Sequence, residues 1–387
     1  MKVTFVNHTG ETFSPTAAGA AISMWLWEMC LAAQRAGVRP LVVTRQRDAQ
    51  PYDWKETAFV PFPAPPANPL LNFALRAERK LTGWRYLRQR TYVRRVAAAI
   101  RTNGMEEGLV VLHNDPEMAI HLRKLLPSAC IVLLFHNSNH YMRRTFRGDL
   151  VLSTNLILAV SDAAGRAVEE AYQIPAGTVK TLYNGVDVER FRPRASPEGE
   201  VPVVNFTGRI RYEKAPDLLL RAALIVSEST RGFSLQLLGQ SELAHGQVDK
   251  YELEIRALIS ALELRGIAVR QAGYVDRLHV ADEVRKGHIH VTPSRKQEEF
   301  GLATIEAMAS GLATVASRTG GTPEVVGDAG LLFESEAVGE LAAHLKTLIV
   351  DRDLRALYAQ QARHRAEGFT WDKTWSRLVQ ISVATPA

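Results

Sequence analysis

Two carboxylates, Glu298 and Glu306, stand eight residues apart in QEEFGLATIEAMASG (297–311), separated by Phe-Gly-Leu in an otherwise apolar stretch. Eight residues of one helix advance about 800°, so the two side chains would sit about 80° apart. A glycosidase pair needs carboxyl groups about 5–9.5 Å apart around a scissile bond, and another arrangement fits better. Strand HIHVTPS ends near Ser294, SRKQEEF reads as a loop, and a helix runs from about 302 to 310. Glu298 then lies before the helix and Glu306 one turn inside it. Gly301 permits close backbone approach, and the amides of Phe300, Gly301, Leu302 and Ala303 would point at an anion. The plainer alternative is a helix whose early glutamate complements the dipole.

Cations stand at a second strand end. In FTGRIRYEKAPDLLLRA, Arg209 and Lys214 follow the strand 202–207 and precede a helix. A guanidinium and an ammonium at a helix N-terminus suit a diphosphate, although solvated basic residues would look the same. A third strand end, SRTGGTPEVVGDAG after 313–317, places Gly320 and Gly321 in tight turns on the same rim, where purely structural glycines are the alternative.

The elements that must position these groups follow from hydrophobic patterning. KVTFVN, PLVVT, GLVVLH, ACIVLLFH and LILAVS are strand candidates in the first half, with a helix over about 20–36. The second half alternates VPVVNFTG, FSLQLLG, IAVRQAG, HIHVTPS and LATVAS with helices near 216–228 and 248–265. Such alternation reads as two doubly wound parallel sheets, and 387 residues exceed one ordinary core. The segment YNGVDVERFRPRASPEGE, rich in Gly and Pro, reads as a linker. Ligands of such sheets sit at the carboxyl ends of the strands. No GxGxxG follows the first strand and no Walker loop is present, which disfavours a nicotinamide or flavin enzyme.

Composition bounds the remaining classes. Two cysteines without metal-ligand spacing suggest neither a disulfide framework nor a zinc site, and a reducing cytoplasm is the expected setting. MKVTFVNHTG lacks a signal-peptide pattern and no run approaches the roughly 20 apolar residues of a membrane span. The net charge is +6 and uneven: residues 1–190 hold 23 Lys and Arg against 16 Asp and Glu, a balance of +7, and the rest balance at −1. Within the basic half, residues 72–101 carry nine basic side chains against Glu78 alone, interleaved with Trp84, Tyr86 and Tyr92. A helix of this kind suits an anionic membrane surface; a solvated helix face is the alternative, and nucleic acid is not expected because no recognition motif accompanies the segment.

GRIRYEK, EEFGLATIEAMASG and GGTPEVV, preceded by YNGVDVERF, resemble in type and order the family 4 glycosyltransferases, which are retaining enzymes of the GT-B fold. The resemblance covers the second half of the chain and implies two Rossmann-like lobes facing across a cleft. It implies an N-terminal acceptor lobe of residues 1–185 completed by a C-terminal helix 370–387, and a donor lobe of residues 186–369. Arg209 and Lys214 match the pair that binds and stabilises the donor's diphosphate, Glu306 the glutamate that bonds the nucleotide ribose, and Glu298 the one that bonds donor-sugar hydroxyls. The backbone at Phe300, Gly301, Leu302 and Ala303 would hold the distal phosphate and sugar, and Tyr274 and Val275 would meet the base through main chain. In the first half, Gly19 and Ala20 of SPTAAGAA occupy the place of the family's double-glycine loop, and His136 matches a histidine near the transferred sugar.

The function so implied is metal-independent, cofactor-free retaining transfer from a nucleoside-diphosphate sugar to a hydroxyl acceptor. The expected product is a bacterial envelope polysaccharide, lipopolysaccharide or glycolipid, and the expected location is cytoplasmic or peripheral on the inner membrane face. A small-molecule aglycone is the alternative acceptor. An inactive nucleotide-sugar-binding subunit, an epimerase and a phosphorylase are the competing classes. Trp371 and Trp375, in the terminal helix, are expected to be packing residues.

Overall fold

Val3–Val6 is buried at all four positions, and so are Leu41–Thr44, Leu109–His113 and Leu156–Ala159. Strands without a polar-facing side must be covered by helices on both faces, which is the state of a parallel sheet inside an α/β layer structure. A computed structural model describes residues 1–7, 13, 21–45, 54–61, 86–137, 147–194, 200–240, 250–296 and 298–384. It divides into two units, Met1–Leu182 with Thr374–Ala387, and Tyr183–Lys373.

In the first unit, β1 (Val3–Val6), β2 (Leu41–Thr44), β3 (Thr57–Phe59), β4 (Leu109–His113), β5 (Cys130–Phe135), β6 (Leu156–Ala159) and β7 (Val179–Thr181) form one sheet. Its order is β3-β2-β1-β4-β5-β6-β7 and every pairing is parallel. The helix Ala21–Arg35 packs Trp25 edge-on against Phe5 at 5.7 Å between ring centroids. Each such fully buried side chain contributes roughly 1.5–3 kcal/mol through removal from water. The helix Tyr86–Thr102 buries Tyr92, Val93, Val96, Ala97 and Ile100 and turns Arg90, Arg94, Arg95 and Arg101 outward. That periodicity corrects part of the membrane-surface expectation: Tyr92 is fully buried, with the Arg45 guanidinium 4.3 Å from its ring centroid, and cannot contact lipid. Residues 72–85 of the basic segment lie outside the described residues.

The second unit holds β8 (Val203–Thr207), β9 (Ser234–Leu238), β10 (Val269–Gly273), β11 (Ile289–Thr292), β12 (Ala313–Ser317) and β13 (Leu331–Phe333). The order is β10-β9-β8-β11-β12-β13, again wholly parallel. Chain order reverses between β8 and β11, so the loops that leave these two strands diverge over a crevice, the place where open α/β sheets bind ligands. Phe206, Leu219, Leu235, Leu262 and Ile289 fill the core beneath.

Residues 183–194 of the segment expected to be a linker are instead built into this unit, and residues 195–199 of it lie outside the described residues. Asp187 Oδ1 accepts from the amides of Glu189 and Arg190, Phe191 is 1% exposed, and Val186 bridges to Thr370. Gly185 explains its own residue type, since a Cβ there would meet the Trp371 amide nitrogen at 2.5 Å. Gly185 therefore serves close packing rather than freedom. Trp371 and Trp375, in the helix Trp371–Val383, are 3% and 4% exposed. Among the described residues, no helix is long and apolar enough to cross a membrane.

Candidate functional site

The loop after β8 carries Arg209, which is exposed, and then a turn in which the amides of Lys214 and Ala215 both donate to the Arg211 carbonyl at 3.0 Å. Ala215 takes up a left-handed conformation, φ 54°, just before Pro216 opens the helix Pro216–Val226. A non-glycine residue held there costs on the order of 1 kcal/mol or more, and Lys214, the residue before it, reaches the neighbouring loop. Its Nζ lies 2.5 Å from Glu298 Oε2.

The loop after β11 presents Glu298 to that ammonium. Ser294 Oγ donates to the same Oε2 at 3.1 Å, and the Gly321 amide, from the loop after β12, donates to the Glu298 carbonyl at 2.7 Å. Ser317 Oγ adds a bond to the Ser294 carbonyl at 2.8 Å. Loops after β8, β11 and β12 are thus tied together at one residue, Glu298, the first through its carboxylate and the last through its main-chain carbonyl.

The helix Leu302–Ala309 starts immediately beyond. Its N-cap, Gly301, has φ 92° and no side chain caps the helix, so the first-turn amides are not consumed by a cap. Beneath Gly301, a Cβ would lie 3.1 Å from Thr304 Oγ1, which in turn bonds Thr292 Oγ1 at 2.7 Å and, through it, His290 Nε2 at 3.1 Å. Burial drives the His290 imidazole down to about 3, so this internal chain is uncharged. Phe300 is buried between Tyr183 and Phe369, with ring centroids 6.1 and 6.0 Å away.

Glu306 is 6% exposed, and its Oε1 lies 2.9 Å from Arg277 Nη1. Arg277 belongs to the loop after β10 that also contains Tyr274, half exposed, and Val275, packed beside Ala307 and Leu312. Sequence reasoning did not single out Arg277, because nothing in a spacing of 29 residues pairs it with Glu306.

Arg295 is the second residue that the motifs did not isolate, although SRKQEEF contains it. It forms a two-pronged bond with Asp217, at 2.7 and 2.5 Å, bonds Glu336 at 2.5 Å, and stacks 4.2 Å from the Tyr212 ring centroid. Burial opposes ionisation of Asp217, but bonds from Arg295 and from Tyr251 outweigh it and hold the carboxyl below its usual range. This buried charge hub fixes the loops that carry Lys214 and Glu298 on either side of it.

In the first unit, His136 follows β5, and its Nε2 lies 2.9 Å from Nδ1 of His113 at the end of β4. Trp25 packs edge-on against both imidazoles, at 5.0 and 5.5 Å, and Asn114 Oδ1 accepts from the His136 amide. His113 was legible only as the last letter of a strand. Gly19 and Ala20 lie outside the described residues. The second unit therefore gathers Arg209, Lys214, Tyr274, Val275, Glu298, Phe300, Gly301, Leu302, Ala303 and Glu306 on the loops and helix at the carboxyl edge of its sheet, while His136 stands in the other unit.

Residues 187–365 match the family described as Glycosyl transferases group 1, and residues 22–190 match Glycosyltransferase Family 4. Spore coat protein SA of Bacillus subtilis is 24% identical over 76% of the chain and 83% of its own length. A D-inositol 3-phosphate glycosyltransferase of Rhodococcus erythropolis is 32% identical over 59% of the chain, and the chain spans only 53% of that relative. Among solved structures, Anabaena HepE in complex with UDP superposes with a TM-score of 0.72 at 20% identity, covering 99% of this chain and all of that one. Two parallel-sheet units and contiguous matches to both family halves agree: the chain belongs to the family 4-like glycosyltransferases of the GT-B fold.

Proposed function

We propose that this chain is a retaining transferase that moves a sugar from a nucleoside-diphosphate sugar to a hydroxyl acceptor in the synthesis of a bacterial envelope glycan or glycolipid. The observation that carries this reading is the convergence of Lys214, Glu298 and the uncapped N-terminus of Leu302–Ala309 at the crevice between β8 and β11. Breaking a sugar–phosphate bond builds positive charge at the anomeric carbon and negative charge on the departing diphosphate. Arg209, Lys214 and the first-turn amides are assigned to that diphosphate, so the reading calls on no metal and no cofactor.

Glu298 accepts from the donor sugar's hydroxyls and Glu306 from the ribose, while the main chain at Tyr274 and Val275 meets the base. His136, Gly19 and Ala20 are assigned to the transferred sugar and the phosphate on the strength of the family resemblance. Retention follows from attack on the same face as the leaving group. The acceptor oxygen bonds the anomeric carbon, the carbon–oxygen bond to phosphate breaks, and the acceptor's proton passes to the departing phosphate oxygen. No protein nucleophile takes part.

HepE was solved with UDP, and the Rhodococcus relative is named for transfer involving an inositol phosphate, a hydroxyl-bearing acceptor. Both names fit a nucleotide donor and a polar acceptor here. Peripheral attachment at the inner membrane face is part of the proposal, carried by Arg90, Arg94, Arg95 and Arg101 on the outward side of Tyr86–Thr102. Binding to anionic vesicles at low salt, lost at high salt, is the expected behaviour.

A thermal-shift screen of UDP-, GDP-, ADP- and dTDP-sugars tests the donor. A ligand at one hundred times its Kd stabilises by about 2.7 kcal/mol, or roughly 5–11 °C for a unit of this size. Arg209→Ala should abolish the shift, and an unchanged shift would overturn the diphosphate assignment. Release of nucleoside diphosphate only when acceptor is present separates transfer from a binding subunit, an epimerase or a phosphorylase.

A further inference from the structure

The Arg277–Glu306 pair is more elaborately held than a surface ion pair requires. Asp276 Oδ1 accepts from the Leu278 amide at 2.8 Å and the Asp276 carbonyl from the His279 amide at 2.9 Å, which closes a turn around Arg277. Arg190 donates to the Arg277 carbonyl, and Arg285 donates to the Arg190 carbonyl at 2.7 Å. The Arg277 guanidinium also lies 6.0 Å from the Phe191 ring centroid. Two separate segments therefore brace one loop so that its arginine meets a carboxylate that is almost fully buried.

Arg277 Nη1 engages only one oxygen of Glu306, and its side chain is 21% exposed. A carboxylate offers about four acceptor sites and a guanidinium five donors in a fixed fork, so the pair retains both an acceptor and donors side by side. A hydroxyl group donates one hydrogen bond and can accept others through its two lone pairs, and such a couple is its complement. A lone carboxylate would serve only the donating half. It would also place an uncompensated negative charge close to an anionic ligand, which the guanidinium cancels.

We propose that Arg277 is a specificity-determining residue, which completes Glu306, already assigned to the ribose under the proposed function, into a hydroxyl-reading clamp for the donor nucleotide. The proposal rests on the reading that the second unit binds a nucleoside diphosphate. It predicts that the full chain discriminates between ribonucleoside and 2′-deoxyribonucleoside diphosphates, and that this discrimination depends on Arg277.

Calorimetric titration of the full chain with UDP, ADP and GDP and with their 2′-deoxy counterparts tests it. The wild type should prefer the ribo form by about tenfold or more, the worth of one charge-assisted bond to a hydroxyl. Arg277→Met should bring that ratio near one, and Arg277→Lys, which keeps the charge but loses the fork, should reduce it. Glu306→Gln should do the same and should not add to Arg277→Met in the double variant. Because the readout is a ratio within each protein, a general loss of stability does not imitate it. Should Arg277→Met fail to fold, the wild-type ratio and Arg277→Lys decide. Equal wild-type affinity for both forms, or a preference unchanged in Arg277→Met or Arg277→Lys, overturns the clamp while leaving the diphosphate assignment standing. If the wild type binds no nucleoside diphosphate at all, the proposed function falls and the clamp with it.

Discussion

Replacing Arg295 by methionine should destabilise the second unit more than any change at an exposed ion pair, and the loss should depend on pH. Arg295 is 9% exposed at the side chain and Asp217 is 2% exposed, so their two bonds at 2.7 and 2.5 Å are shielded from water. Removing one member of such a pair leaves an uncompensated buried charge and costs about 3–5 kcal/mol. The Glu336 bond adds little, because that carboxylate is 56% exposed. The melting temperature should therefore fall by roughly 6–20 °C, at 2–4 °C per kcal/mol for a unit of this size.

The sign of the pH effect follows from Asp217. In the wild type, burial is outweighed by the bonds from Arg295 and Tyr251, so its folded pKa lies below the unfolded value. The resulting stability is present above the unfolded pKa of about 3.9 and is lost as pH falls through the folded one. In Arg295→Met the burial remains without the cation, and the carboxyl is displaced upward, so its penalty is relieved as it protonates on acidification. Urea unfolding should show the gap between the two proteins at its widest near pH 7 and narrowing below about pH 5. Asp217→Asn in the Arg295→Met background should recover part of the loss at pH 7. A loss below about 1 kcal/mol, or one of equal size at pH 4.5 and pH 7, would refute a buried charge hub.

Further outcomes follow from other contacts. Gly239→Ala should cost about 3 kcal/mol or more in urea unfolding, because its Cβ would lie 1.9 Å from the Gly208 carbonyl oxygen, whereas Gly266→Ala, with open space around it, should cost only about 1 kcal/mol of backbone strain. His290 titrates near 3 in the fold and near 6.5 when unfolded, so its neutral burial stabilises fully above pH 6.5 and loses roughly 2 kcal/mol by pH 5. His290→Gln should flatten that acid limb. Under the proposed function, Lys214→Met should lower kcat by about 10²–10³-fold with the fold intact by circular dichroism; a kcat within twofold of wild type would remove Lys214 from leaving-group stabilisation.

The sheets were legible because parallel strands buried on both faces leave unbroken apolar runs such as LVVL and LILAV. The candidate site was legible wherever a loop leaves such a strand carrying charges, as at Arg209, Lys214 and Glu298, whose place at the carboxyl edge of the sheet the strands alone foretell. What stayed hidden were partners set by register between distant loops. Arg277 lies in the loop after β10 and Glu306 in the helix Leu302–Ala309, and they meet because that loop and that helix share a cluster of Leu238, Val275, Ala307 and Leu312. Arg295 and Asp217, likewise, are ordinary surface letters until the order β8-β11 brings the loop of Arg295 beside the start of the helix that carries Asp217. The Gly and Pro content of YNGVDVERFRP misled for a related reason: composition marks permissive backbone, and here the permission is used for close approach to Trp371.

Pairing also resolves the electrostatics of the two glutamates with which the sequence posed its problem. Two bare carboxylates near a diphosphate would each oppose it, since unit charges 8 Å apart interact by about 2 kcal/mol at an effective dielectric of 20. Glu298 carries Lys214 and Glu306 carries Arg277, so each arrives as a neutral couple that still offers acceptor oxygens to hydroxyls. Under the proposed function, the carboxylates can then grip the sugars at both ends of the donor while Arg209 and the amides at Gly301 and Leu302 keep the middle favourable to phosphate. A charge-reversing swap of one couple, Arg277→Glu with Glu306→Arg, tests whether neutrality or position matters. Neutrality alone would preserve the donor's Kd within about threefold, whereas a clamp that needs the acceptor on the helix would lose more than about tenfold.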